Sequence, residues 1–293
     1  MVDTHIVQRD WRYWVSRGVI HALLITAALF YLLPLIVMVF TSFKTMDDIR
    51  GGNLISLPTE WVTDAWFKAW SSACTGVRCE GVEGYFWNSV KIVVPAVLIS
   101  TTIGALNGYV LTKWRFRGSE LFFGFLLFGC FIPFQVVLLP MAQTLGMLGL
   151  ANTTTGLVMV HVVYGMAFTT LFFRNFYVNI PSELVQAAQI DGAGFFTIFY
   201  RILLPISGPI IVVTIIWQTT QIWNDFLFGV VYGSGETQPI TVALNNLVNT
   251  STGVKEYNVD MAAAIIAGLP TLLVYVLAGK YFVRGLTAGS VKG

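Results

Sequence analysis

Apolar residues in this chain run in long blocks, and polar residues gather between them. The first block, Gly18 to Phe40, contains no Asp, Glu, Lys or Arg. As a helix it would reach about 34 Å, enough to cross a bilayer core. Its apolar part outruns the roughly 7–15 residues of a secretory leader's core. The TSFKTMDD that follows offers no small-x-small cleavage site, so the pattern predicts a retained helix. Further blocks lie at about Ser89–Leu111, Leu121–Leu139, Gly156–Phe173, Ile206–Val231 and Met261–Val283. The expectation is an all-α polytopic membrane protein with six transmembrane helices in one domain, residues 1–293. No internal repeat or low-complexity linker divides it.

One interval, Asn179 to Pro209, has a different period. Pro181-Ser182 is a helix-start signal, with Ser182 expected as N-cap and Glu183 in the first turn, where the helix dipole favours an acid. Leu184, Ala187 and Ala188 follow at i, i+3, i+4 and predict one apolar face of small residues. Asp191-Gly192 breaks that helix. A second helix carries Phe195, Ile198, Phe199, Ile202 and Leu203 on one stripe and is expected to stop at Pro205. Two short amphipathic helices around a glycine, set between long apolar blocks, suit a docking element.

Composition supports the membrane reading. The chain is 56% hydrophobic and 11% charged, with a mean hydropathy of +0.72, whereas soluble domains carry about 25% charged residues. The net charge of +2 decides nothing, but its distribution does. With the N-terminus inside, the inner segments hold Arg9, Arg12, Arg17, Lys113, Arg115, Arg117, Arg174, Arg201, Lys280, Arg284 and Lys292. The outer segments hold only Lys44, Arg50, Lys68, Arg78, Lys91 and Lys255, and most of the acids. The positive-inside rule then places both termini and the Asn179–Pro209 interval in the cytoplasm. The long outer loop contains Cys74 and Cys79, which in an oxidising exterior predict a short-range disulfide; two free thiols are the alternative. Cys130 falls mid-membrane as a small core residue.

The fifth block carries the most polar stripe. Thr214, Gln218, Gln221 and Asp225 lie within about 60° of one another on a helix. Polar groups at that depth face either a water-filled path or a neighbouring helix. Amides beside Trp217 and Trp223 would suit a neutral polyol, by bonding hydroxyls and stacking on sugar faces. Asn224 joins the path candidates, and Asp225, in Trp223-Asn224-Asp225-Phe226, suits a structural or gating role better than direct sugar contact. Pro133-Phe134-Gln135 and Pro140 predict a kink or unwound turn; Gln135 would either line the path or cap freed carbonyls. His161 and Asn107 read as packed, hydrogen-bonded residues first. No basic run suggests nucleic acid, three cysteines make no metal-site pattern, and no phosphate loop, HExxH or nucleophile–base pair is present. The chain is read as a non-enzyme with no catalytic and no metal residues.

The spacing Gln186-Ala187-Ala188, Gly192 and Ile202-Leu203-Leu204-Pro205 resembles the "EAA" loop of binding-protein-dependent ABC importer permeases. Gln186 stands where the usual Glu would be. Leu148-Gly149-Leu150-Ala151-Asn152-Thr153, Trp223-Asn224-Asp225-Phe226 and the tail Gly285–Gly293 are similar to segments of the second, G-type permease of maltose-type importers. The loop around Cys74 and Cys79 looks more like that of glucose/mannose permeases. The resemblance implies a bacterial inner-membrane sugar permease, with a monosaccharide such as glucose or mannose favoured over an oligosaccharide. Residues 179–205 would be its coupling loop, with Glu183, Leu184, Gln186, Ala187, Ala188, Asp191, Gly192 and Pro205 meeting an ATPase. Implied partners are a second, non-identical permease, two ATPase subunits that bind ATP and Mg, a periplasmic sugar-binding protein, and lipid. This chain would bind no cofactor itself. The alternative function is an ion-coupled secondary transporter of a small polar solute.

Overall fold

The computed structural model describes residues 11–53, 55–250 and 254–288, with 280–288 given by backbone alone. Every regular element among the described residues is helical. Contacts cluster into two compact units, residues 1–69 with 253–265, and residues 70–252 with 266–293, where the sequence predicts one domain.

The first unit holds α1 (Trp11–Ser42), α2 (Met46–Gly51), most of α3 (Asp64–Ser71) and the first turns of the terminal helix. α1 buries only Thr41 and Ser42; its apolar sides are left for lipid. Beyond α1 the chain is tied down by polar bonds. Lys44 is buried, and its Nζ donates to Asn53 O at 3.2 Å and Ser56 Oγ at 3.0 Å. Asn258 Nδ2 donates to Lys44 O at 3.0 Å, and Lys68 pairs with Glu256 at 2.5 Å.

The second unit is built on α4 (Glu83–Thr112) and contains α5 (Ser119–Phe131), α6 (Phe134–Met147), α7 (Thr154–Val178) and α8 (Ser182–Ile190). After these come α9 (Phe195–Ile198), a π turn (Phe199–Leu203), α10 (Leu204–Ile206), α11 (Gly208–Trp223), α12 (Leu227–Tyr232) and α13 (Ile240–Asn249). α14 (Tyr257–Ala288) ends the described chain. In hydrocarbon the hydrophobic effect does not pull helices together, so close backbone approach and interhelical hydrogen bonds must do so. α4 meets α7 through Ser100, Gly104 and Gly108, one residue per turn on one face. A Cβ on Gly104 would lie 2.7 Å from the backbone carbon of Thr169, and one on Gly108 would lie 2.9 Å from the Arg174 nitrogen. Thr169 Oγ1 donates to Ser100 O at 2.9 Å, and Asn107 Nδ2 donates to Thr170 Oγ1 at 3.1 Å. α11 joins this pair when Gln218 Nε2 donates to Ser100 Oγ at 2.6 Å, its amide lying where Gly165 leaves room.

Among the described residues, four helices are long and apolar enough to cross a membrane unaided: α1, α4, α7 and α14. The other two expected spans are broken. α5 and α6 meet at 104° across Ile132-Pro133, so the block at 121–139 is two helices, with the turn at the predicted Pro133. Pro140, also expected to break the helix, is carried inside α6. The second helix of the 179–209 interval passes its expected stop at Pro205 and ends at Ile206. The π turn just before Pro205 accommodates the ring, which has no N–H to give and would crowd the Arg201 carbonyl. Segments Phe195–Ile206 and Gly208–Trp223 then meet at 78°. The fifth block stops at Trp223 and restarts at Leu227.

The seam at Gly104 generates a prediction. Gly104→Leu forces α4 off α7 and should cost at least about 1–3 kcal/mol, read as a lower melting temperature of the detergent-purified chain. Unchanged melting would mean that the two helices do not pack through this face.

Candidate functional site

The 179–209 interval forms a short exposed helix on a buried base. The base is a cluster of Ala105, Tyr109, Phe173, Tyr177, Val185, Ile198, Phe199 and Leu203, drawn from α4, α7, α8 and the segment from α9 through the π turn. The stripe read from the sequence in the second helix is the face turned into this cluster, with Phe195 and Ile202 packed at its edge. Tyr109 lies between Phe195 and Phe199, with ring centroids 4.8 and 5.9 Å away. Tyr177 is joined to the bend by Ser207, whose Oγ donates to the Tyr177 hydroxyl at 2.9 Å.

On α8 the expected face divides. Val185 is buried and Ala188 packs against the cluster, so Ala188 holds the helix down instead of facing outward with Leu184 and Ala187. Leu184 is 48% exposed, and Glu183, Gln186, Ala187 and Asp191 are exposed with it. The physical reason is the helical period: Val185 and Ala188 share the inner side, leaving Leu184 and Ala187 beside it. Ser182 is the first helical residue and not the N-cap; its Oγ lies 3.3 Å from Lys113 Nζ, which also donates to Ile180 O at 2.5 Å. Burial pulls the Lys113 ammonium below its ordinary range; Glu183 pulls it up and Arg115 pushes it down. Gly192 ends α8 at φ +79°, the left-handed conformation that lets Ala193 N return to Ala188 O at 2.9 Å. Pro205 is exposed within α10.

The polar stripe of the fifth block is divided by depth. Thr214 and Gln218 are buried; Thr214 Oγ1 bonds back to Ile210 O at 2.7 Å, and Gln218 joins α4 as above. Gln218, Gln221, Asn224 and Asp225 line a cavity of about 560 Å³ walled by Phe134, His161, Tyr164, Phe168, Trp217 and Phe228. Phe134 stands in that wall and Gln135 does not; Gln135 is exposed on α6. Trp223 points away, its Nε1 donating to Ala267 O at 2.8 Å.

Asn224 and Asp225 also explain the break in this block. Asn224 Nδ2 takes Thr220 O at 2.9 Å, and the Asp225 carboxylate accepts from Phe228 N at 3.3 Å and Gly229 N at 3.1 Å. These side chains offer the backbone an alternative to continuing the helix. His161 Nε2 stands 3.8 Å from Asp225 Oδ2, and its ring lies against Phe228. Sequence reasoning missed Tyr164, Phe168 and Phe228 as cavity walls. Aromatics are so frequent here that no periodic signal singles these out.

Cys74 and Cys79 are joined by a disulfide in the loop before α4, with Cα atoms 3.8 Å apart. This loop holds the segment between α12 and α13 and the end of α13. Gly76 N donates to Thr250 Oγ1 at 3.1 Å, Arg78 approaches Glu236 at 3.7 Å, and Asn88 Nδ2 donates to Glu236 O at 2.6 Å.

Residues 96–287, well over half of the chain, match the model of the binding-protein-dependent transport system inner membrane component family. The chain belongs to that family. A relative in Pyrococcus horikoshii, a probable ABC transporter permease protein, is 38% identical over 95% of this chain and 98% of its own length. The probable ABC transporter permease protein YurM of Bacillus subtilis is 31% identical over 99% of this chain and 95% of its own. The multiple sugar-binding transport system permease protein MsmG of Streptococcus mutans is 29% identical over 93% of this chain and 96% of its own. The fold is shared with a crystal structure of a bacterial ABC transporter involved in import of the acidic polysaccharide alginate. That likeness has a TM-score of 0.80 at 21% identity and covers 93% of this chain and 98% of the other. The chain is thus a multi-pass ABC permease. The tail similarity at Gly285–Gly293 falls mostly outside the described residues.

For a permease of this family, the oxidation state of the Cys74–Cys79 loop is measurable. Peptide mapping of the purified protein without reductant should recover the two residues as one cross-linked peptide. Recovery of both as free thiols would count against the pairing. The bridge closes so few residues that its loss should alter the local loop more than global stability.

Proposed function

We propose that this chain is the transmembrane permease subunit of an ATP-driven sugar importer of a bacterial inner membrane, in which α8 couples ATPase motion to alternating access. The observation that carries the reading is α8 itself: a short helix with Leu184 and Ala187 exposed, clamped by Val185 and Ala188 onto the cluster that ties it to α4 and α7. A helix that only completed the fold would not leave Leu184 and Ala187 out. Charge supports the side: Lys113, Arg115 and Arg117 lie in the α4–α5 connection, which Lys113 joins to Ser182 of α8, and Arg174 and Arg201 flank α8 and α9 in the chain, as positive-inside placement requires.

Glu183, Leu184, Gln186, Ala187, Asp191 and Gly192 meet or shape the contact with the ATPase, and Ala188 and Pro205 position it. ATP and Mg belong to two ATPase subunits; a second permease and a periplasmic sugar-binding protein complete the importer. Sugar as substrate is supported by the relatives' names, which include xylose/arabinose import and arabinooligosaccharide transport, and by a cavity joining amides to aromatic faces. Gln221, Asn224 and Asp225 are its candidate path residues. Thr214 and Gln218 hold the helix that carries them, and Gln135 lies outside this wall. A monosaccharide such as glucose or mannose is the first substrate to test, and longer neutral sugars are the second. Membership in a binding-protein-dependent family argues against an ion-coupled secondary transporter.

The test uses the importer expressed with its own partner subunits. Ala187→Arg places a long cation on the exposed face of α8 without touching the buried cluster. It should insert normally, retain less ATPase subunit on purification and lose most sugar-stimulated ATP hydrolysis. Gln186→Glu should change little if docking is by shape. Full sugar uptake by Ala187→Arg, with its ATPase complement intact, would remove α8 from the contact. Reporter fusions should place Gly192 in the cytoplasm and Thr75 outside; an external Gly192 would refute the coupling role outright.

A further inference from the structure

Resting on the proposal that the cavity beside α11 is part of the sugar path, we infer that Asp225 makes this cavity a charge filter, one that accepts uncharged sugars and repels anionic ones. Among the residues lining the cavity Asp225 is the one carboxylate, His161 is the one imidazole, and none is Lys or Arg. The carboxylate is held in place, since it accepts from the Phe228 and Gly229 amides where the helix breaks. His161 Nε2 lies 3.8 Å from Oδ2, within ion-pair range but beyond hydrogen-bond reach, and its ring is buried against Phe228.

Rings dominate the remaining wall. Phe168 and Trp217 lie 4.8 Å apart by centroid, as do Tyr164 and Phe228. Such faces receive the C–H side of a sugar, and the exposed amides of Gln221 and Asn224 can bond its hydroxyls. A neutral sugar meets partners for both surfaces. A uronate would bring a second negative charge into a partly desolvated wall that supplies no lysine or arginine, which is costly. The same fold serves an importer of acidic alginate, so the architecture does not set the sign of the substrate. The side chains lining the cavity must.

The experiment reads the cavity's charge directly, without needing the natural substrate. In a Cys130→Ala background, Gln221→Cys places a single free thiol in the wall. Membranes holding the complete importer are treated with trimethylammonium-ethyl and with sulfonatoethyl methanethiosulfonate, one cationic and one anionic. The rate ratio, corrected for a small free thiol, should favour the cationic reagent by about tenfold or more. Asp225→Asn keeps a capping side chain and should bring the ratio back near that of the free thiol. Asn224→Asp should raise it. A corrected ratio near one, or a ratio indifferent to both substitutions, overturns the filter. If Gln221→Cys still imports sugar with such a flat ratio, the permease reading stands and the filter alone falls. If neither reagent reacts, the cavity is closed to water in the assembly, and both the filter and the path placement fall.

Discussion

The contact on which the second unit depends is the approach of α4 to α7 along Ser100, Gly104 and Gly108. Lipid is as apolar as leucine, so larger side chains at these positions would add surface without adding attraction between helices. Small residues instead bring the backbones within reach of Thr169 and Phe173. Once the helices are that close, polar side chains can bond across the seam. Thr169 reaches Ser100 O, Asn107 reaches Thr170, and Gln218 of α11 reaches the Ser100 hydroxyl. Each of these groups would be expensive if left unpaired in hydrocarbon. The steric and hydrogen-bonding parts of the seam therefore depend on each other.

The breaks in the spans follow the same bookkeeping of backbone polar groups. Irregular backbone at membrane depth is tolerated only where protein or a watered cavity satisfies it. At Asn224–Phe226 the side chains of Asn224 and Asp225 take up a carbonyl and two amides, and the break opens onto the cavity. At Ser207 the hydroxyl is shared between Leu203 O and Tyr177, which turns a bend into a joint between α10 and α7. Pro133 starts α6 at the position where a missing N–H costs least.

The long apolar blocks were legible as helices, and four of the six are unbroken among the described residues, while the Pro133 and Ser207 bends divide the other two. The two amphipathic helices around Gly192 were legible because their period differs from everything around them. What the sequence hid was direction within a face. Ala187 and Ala188 are adjacent and chemically identical, yet Ala188 supports α8 from beneath and Ala187 lies exposed. The packing of Val185 into the cluster, with Ala188 three residues on beside it, determines which is which. The stripe Thr214, Gln218, Gln221, Asp225 had the same ambiguity. Helical period places the four on one side, but depth divides them, because Gly165 and Ser100 admit Gln218 into the seam before the cavity begins. Trp223, which looked like a partner for a sugar ring, is committed to the Ala267 carbonyl.

These divisions bear on how the parts can move. The cluster under α8 draws on Ala105 and Tyr109 of α4 and on Phe173 and Tyr177 of α7, the same two helices that the glycine seam locks together at the adjoining residues. Gln218 fastens α11, and with it the cavity wall, to the same seam. Displacing α8 alone would have to break a close-packed aromatic cluster, and such interiors resist deformation. Displacing α8 together with α4, α7 and α11 leaves every one of these contacts intact. On the proposed coupling role, a push delivered at Leu184 and Ala187 would move Gln221 and Asn224 with the same body.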